Sequence, residues 1–252
     1  MPPRRTVALS QELIVTACLE LVESGGPGAL TFRNIGRRLG VDATAVYRHF
    51  RDKDDLVRAL ADRLYEEALA GFAPGEDWLD TLRDAAMRVY RAFAGHPQAA
   101  VLAASRSTRR EAEINAIEVL LDALRQGGFE PPEAARYERA LGDHVLAWAA
   151  FEASFVMLPP EVREGDAGAP LVYAAQSRER YPRLAECAPH LPPVTVPQFE
   201  TALEIFLVGL RTLAPERPSD TEPVTPGPVT PEPVTPEPVT PEPVGTEPVG
   251  QG

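Results

Sequence analysis

The chain has 252 residues, 44% of them hydrophobic, enough for one large or two small domains with buried cores. A formal net charge of −12 excludes a uniformly basic nucleic-acid binder, and no apolar run reaches the roughly eighteen residues of a membrane span. The two cysteines, Cys18 and Cys187, lie far apart without CxxC spacing, which excludes a disulfide framework or a cysteine metal knot.

Residues 1–9 open with Pro2-Pro3-Arg4-Arg5 and read as a disordered arm, whose arginines either reach phosphate or stay solvated. The start has no apolar signal-peptide stretch, so a soluble, cytoplasmic protein is expected. A first helix is predicted from Ser10 to Ser24, with Leu13, Ile14, Ala17, Cys18, Leu21 and Val22 on one face and Cys18 as a buried thiol. Gly25-Gly26-Pro27-Gly28 ends it. No Gly-Lys-Ser/Thr follows that cluster, so it is a turn and not a phosphate loop.

Thr31–Lys53, TFRNIGRRLGVDATAVYRHFRDK, organises the rest. Thr31 can cap a short helix buried through Ile35 and Leu39, and Gly40 supplies the left-handed residue that stops it. Asp42 then caps a second helix, Ala43–Phe50, anchored by Val46 and Phe50. Its outer face carries Ala43, Thr44, Ala45, Tyr47, Arg48 and His49. These are small residues for close approach, a hydroxyl and an aromatic for directed contacts, and basic groups for an anion. That inventory suits a helix entering the DNA major groove in helix-turn-helix geometry.

A long helix follows from about Lys53 to Phe72, capped by Asp52, with Leu56, Leu60 and Leu64 in a stripe, and Pro74-Gly75 breaks it. Further helices are predicted at Asp77–Gly95, after Pro97, at Ser107–Gln126 and from Pro131-Pro132 to about Met157. Residues 158–196 read as loop with one helical piece near Leu171–Arg180, and a last apolar helix spans Pro197–Ala214. From Glu222 the chain repeats Glu-Pro-Val-Thr-Pro, which forbids helix and sheet. No strand alternation appears, so the fold expected is all-α. A three-helix helix-turn-helix head (10–56) joins through the long helix to a helical-bundle body (57–214), and a disordered Pro-rich tail (215–252) follows.

The charge divides along the same boundaries. Residues 1–60 hold nine Lys+Arg against seven acids, residues 61–214 fifteen Arg against twenty-three, and the tail one Arg against seven. A DNA-facing field is thereby confined to the head, and Lys53 is the only lysine in the chain.

The segment from about Ser10 to Leu60 resembles the N-terminal domain of TetR-type transcriptional regulators. The residues that carry the likeness are Leu30-Thr31, Ile35, Leu39-Gly40-Val41, the run Val46-Tyr47-Arg48-His49-Phe50, Lys53 and Leu56. The resemblance implies that Thr31, Arg33, Tyr47 and Lys53 touch the phosphate backbone, and that Ala43, Thr44, Ala45 and Arg48 face base edges. Arg48 is the candidate for guanine. His49 either bonds phosphate or packs, and Tyr47 has core filler as its alternative. The resemblance also implies a homodimer, paired through the helices near 132–157 and 197–214, that reads a pseudo-palindromic operator; the alternative is that both helices are simply central to the body.

In the body, His144, Trp148, Glu152 and Phe155 share one helix face and, with Tyr90, Phe93 and His96, outline a candidate pocket for a small-molecule effector; ordinary core is the alternative. Residues Met87–Phe155 are loosely similar to tetracycline repressors, which hold a magnesium–drug chelate with a histidine and a glutamate. Glu152 falls on that glutamate but Ala103 on the histidine, so neither a metal nor another cofactor is expected. The expected function is a repressor released from its operator by a ligand, with a ligand-independent activator or architectural DNA-binder as the alternative. Nothing resembles a nucleophile elbow, a phosphate loop or an HExxH site, so no enzyme is expected.

Overall fold

In the computed structural model, which describes residues 8–194 and 197–215, the hydroxyl of Ser10 accepts the Leu13 N–H at 3.1 Å and starts α1 (Gln11–Gly25). Ile14, Val15, Ala17, Cys18 and Val22 face inward, and burial pushes the Cys18 thiol up to about 12, so it stays protonated and inert. Thr31 caps α2 (Phe32–Leu39) by accepting the Asn34 N–H at 3.2 Å. Gly40, at φ 69°, closes it while the Val41 N–H reaches back to the Gly36 carbonyl at 2.9 Å.

Asp42 caps α3 (Ala43–Tyr47) through the Thr44 N–H at 2.8 Å, and that bond holds its carboxyl below the usual range. The predicted rod to Phe50 is shorter as a regular helix. One further turn still carries Arg48 and His49, and the Phe50 N–H bonds the Val46 carbonyl at 3.2 Å.

Asp52 caps α4 (Lys53–Leu69), whose seventeen residues span about 25 Å. It stops before the predicted Phe72 because Gly71 turns left-handed at φ 65°. The body continues with α5 (Trp78–Ala94), capped by Asp77, then α6 (Pro97–Ala103), α7 (Glu111–Gln126) and α8 (Pro131–Val156). Three short helices follow, α9 (Pro160–Ala167), α10 (Ala169–Ala174) and α11 (Pro182–Cys187), before α12 (Phe199–Leu213). The all-α expectation holds, with no strand among the described residues. Residues 158–190 differ from the expected loop, since a proline at the first turn of each of those three helices presets the backbone for helix.

α5 packs along α8 and α4, and α7 lies against all three. A cavity opens among these four helices. α7 starts four residues later than predicted because residues 107–110 are held otherwise. The Thr108 hydroxyl lies 3.0 Å from Asp62 of α4 and 3.2 Å from Glu113, and the Arg109 N–H donates to Glu113 at 2.7 Å. Arg109 takes φ 55°, a left-handed conformation that a non-glycine residue holds only when its surroundings impose it. The same segment reaches the head: Arg110 pairs with Asp55 at 2.8 Å, and its guanidinium lies 6.0 Å from the Phe50 ring. No single helix is long and apolar enough to cross a membrane among the described residues. The arm to residue 7 and the repeat tail from Glu216 lie outside the described residues.

Candidate functional site

Val46 and Phe50 are buried and pin α3 to the head, leaving Thr44, Tyr47 and Arg48 exposed, with Ala43, Ala45 and His49 half-buried. Tyr47 is 54% exposed and lies parallel to Phe32 with centroids 3.8 Å apart, so it stacks on the core's edge and does not fill it. The His49 carbonyl accepts from Gln11 Nε2 at 3.1 Å, which ties the end of α3 to α1. Arg33, Arg48 and Lys53 are exposed and make no ion pair or hydrogen bond among the described residues, whereas Arg38 is held by Glu20 at 2.5 Å. Unpaired guanidinium and ammonium groups remain free for phosphate or base edges.

One positioning residue escaped sequence reasoning. Gly36 is buried where α2 crosses the turn, and a Cβ there would lie 2.8 Å from the Val41 carbonyl oxygen and 3.2 Å from the Ala43 nitrogen. Its signal was a glycine inside a predicted helix, which is unfavourable unless close packing requires it.

In the body, Tyr90, His144, Trp148 and Glu152 gather around Phe199 between α5, α8 and α12. Tyr90 stacks on Phe199 at 4.0 Å and its hydroxyl bonds the Glu152 carboxylate. Burial, then that carboxylate, pushes the Tyr90 hydroxyl up, so it stays protonated as a donor. His144 lies 5.3 Å from Phe206 and 6.1 Å from Phe199; burial lowers its pKa, and its Nε2 is buried without a partner among the described residues. Trp148, Glu152 and Phe155 line an opening of about 950 Å³, counting its mouth, beside Arg163 and Pro192. The other two predicted pocket residues stand apart. Phe93 packs edge-on against Tyr65 at 5.3 Å, and His96 sits between Glu67 at 3.3 Å and Glu23 at 4.0 Å, joining α4 to α1.

A second cavity, about 770 Å³ with its mouth, lies among α4, α5, α7 and α8. Its polar lining includes Tyr65, Glu113 and Glu138, none of which was singled out from sequence. The available signal was an acid at 138 among Ala134, Leu141 and Val145 on the buried face of one helix.

Ala103 is 1% exposed and offers no donor, Glu152 is engaged by Tyr90, and no group of three or more His, Cys, Asp or Glu residues could hold a metal among the described residues. A magnesium chelate held by a histidine and a glutamate does not fit these residues.

The head and body define a helix-turn-helix regulator with a helical body. Residues 14–60 match the family described as bacterial regulatory proteins, tetR family, and residues 71–214 match the tetracyclin repressor-like C-terminal domain. The chain belongs to the TetR family, a family of transcriptional regulators and not of enzymes.

An HTH-type transcriptional regulator of Saccharopolyspora erythraea is 28% identical over 138 residues, 55% of this chain and 58% of that protein. The class D tetracycline repressor from Escherichia coli is 32% identical over 128 residues, 48% of this chain and 56% of that protein. The chain thus spans little more than half the length of these relatives. The fold is that of the Streptomyces coelicolor TetR family protein ActR in complex with actinorhodin, with a TM-score of 0.73 at 23% identity, covering 83% of this chain and 99% of that one.

Proposed function

We propose that this chain is a cytoplasmic homodimeric repressor that holds a pseudo-palindromic operator through Ala43–Phe50 and releases it when a small molecule enters the body. The observation that carries the reading is the outer face of α3: Thr44, Tyr47 and Arg48 stand exposed while Val46, Phe50 and the Gln11 bond fix the segment beneath them. Arg48 reads a guanine edge, and Thr31, Arg33, Tyr47, His49 and Lys53 set the register on phosphate. Ala43 and Ala45 permit the close approach. Related proteins support release: the class D relative is a tetracycline repressor, and the ActR structure holds actinorhodin.

Coupling to the body runs through α4. Its first turn is gripped by Arg110 on Asp55 and by Arg106 on Asp54 at 2.7 Å, and its middle by Asp62, which accepts the Glu113 N–H at 3.1 Å. A ligand that favours another arrangement of that grip changes the spacing of the paired heads and lowers operator affinity.

The test is selection of bound genomic fragments, followed by release with a compound library. Arg48→Ala is expected to relax preference at one position of each half-site, costing about 1–3 kcal/mol per contact. Unchanged base preference in a binding-site selection would remove Arg48 from the reading head.

A further inference from the structure

The cavity among α4, α5, α7 and α8 has an apolar wall from Leu69, Val89, Ile117 and Leu120, beside which stand the carboxylates of Glu113 and Glu138, neither of them in an ion pair among the described residues. Asp143 and Arg139 also line it and pair with each other at 2.8 Å; Arg139 partly offsets Glu138, which leaves three carboxylates against one guanidinium around the cavity. Glu113 is 8% exposed, and Ser107, Thr108 and the Arg109 N–H all bond its Oε2; its Oε1 accepts from no group among the described residues. Glu138, half-buried, makes no hydrogen bond or ion pair among the described residues. Tyr65 adds a hydroxyl that burial keeps protonated.

An excess of carboxylates beside an apolar wall favours a cation with an apolar body, which meets the charge while covering the wall. We propose that this cavity takes a hydrophobic monocationic effector, a protonated or quaternary amine on a ring or alkyl body, with Glu138 and Glu113 as its counter-charges. The proposal rests on the reading of the chain as a ligand-released regulator and adds the ligand's charge class and anchors. It also links the cavity to the head. An ammonium drawn to Glu113 competes with residues 107–109 for that carboxylate, and the neighbouring Arg106 and Arg110 hold the first turn of α4.

Burial pushes the Glu138 carboxyl up from its ordinary value, Arg139 opposes the rise, and Asp143 and Glu113 add to it. An acid whose folded pKa is raised lowers stability once pH rises through its unfolded value and it ionises in the fold. Glu138→Gln is therefore expected to raise the melting temperature of the free protein near pH 7.5 and leave it nearly unchanged near pH 4.

The direct test uses three matched probes on the full chain in calorimetry: 1-naphthylmethylamine, 1-naphthylmethanol and 1-naphthoate. The amine is expected to bind about tenfold or more tightly than the carboxylate, and Glu138→Gln and Glu113→Gln are each expected to weaken the amine about tenfold while weakening the alcohol less. Equal binding of amine and carboxylate, binding of none of the three, or indifference of the amine to both substitutions overturns the proposal. Release of an operator fragment is scored separately. If the carboxylate binds and releases DNA, ligand-released regulation stands and the charge class falls. If the amine binds through these glutamates yet DNA stays bound, the charge class stands and release falls.

Discussion

Gly36→Val is expected to abolish specific operator binding while leaving the body folded. The Cβ would meet the Val41 carbonyl oxygen at 2.8 Å and the Ala43 nitrogen at 3.2 Å, both backbone atoms, so no side-chain rotation relieves the overlap. The turn cannot simply widen, because the Val41 N–H is already bonded to the Gly36 carbonyl at 2.9 Å and Gly40 is committed to its left-handed state. The strain falls on the start of α3, at the Asp42 cap. Overpacking of this kind costs about 1–3 kcal/mol of stability. The loss in affinity is larger, because displacing α3 removes several base contacts together, each worth about 1–3 kcal/mol, so a drop on the order of a hundredfold or more is expected. Gly36→Ala is expected to show a weaker form of the same defect. Fluorescence anisotropy with an operator fragment measures the effect, with circular dichroism reporting the retained helices. Operator binding by Gly36→Val at the parent level would show that α3 tolerates displacement and would remove the geometric basis of the reading.

What the sequence disclosed follows from how far apart the interacting residues lie. Caps act within three positions, and Thr31, Asp42 and Asp52 cap the helices they are expected to precede. Apolar periodicity likewise located α1, α5, α8 and α12 to within a residue or two. The unforeseen features depend on partners distant in sequence. Residues 107–110 leave the helix because Asp62, 46 positions from Thr108, holds them. The cavity glutamates come from α7 and α8 and meet only once those helices pack on α4 and α5. Periodicity placed His144, Trp148, Glu152 and Phe155 on one face, yet His144 turns to Phe206 and Phe199 of α12, which no pattern within α8 could reveal. Gly36 was hidden for another reason: a close approach is registered in sequence only as a missing side chain.

A paired Ile205→Glu and Val208→Glu substitution is expected to give a monomer that folds but no longer holds an operator at concentrations where the parent does. α12 buries Phe199, Leu203, Leu207 and Leu210, at spacings of three and four, while Ile205 is 70% exposed and Val208 62% exposed. Phe151 of the neighbouring α8 is also exposed. A helix so apolar on its outer side suits a self-complementary interface, in which twofold symmetry uses each residue twice. Four such side chains, at about 1.5 kcal/mol each when fully buried, amount to about 6 kcal/mol, or about four decades in the dimer dissociation constant. The introduced carboxylates would also face their own copies across the axis. Within one protomer the positions are exposed, so thermal stability of the monomer should change by no more than about 0.5 kcal/mol. Sedimentation analysis should then report 27.3 kDa for the variant and twice that for the parent. Operator affinity should collapse, because one head offers only half the contacts. A variant that stays paired at micromolar concentration, or a monomer that binds operator as tightly as the parent, would move the interface off α12 or remove the need for it.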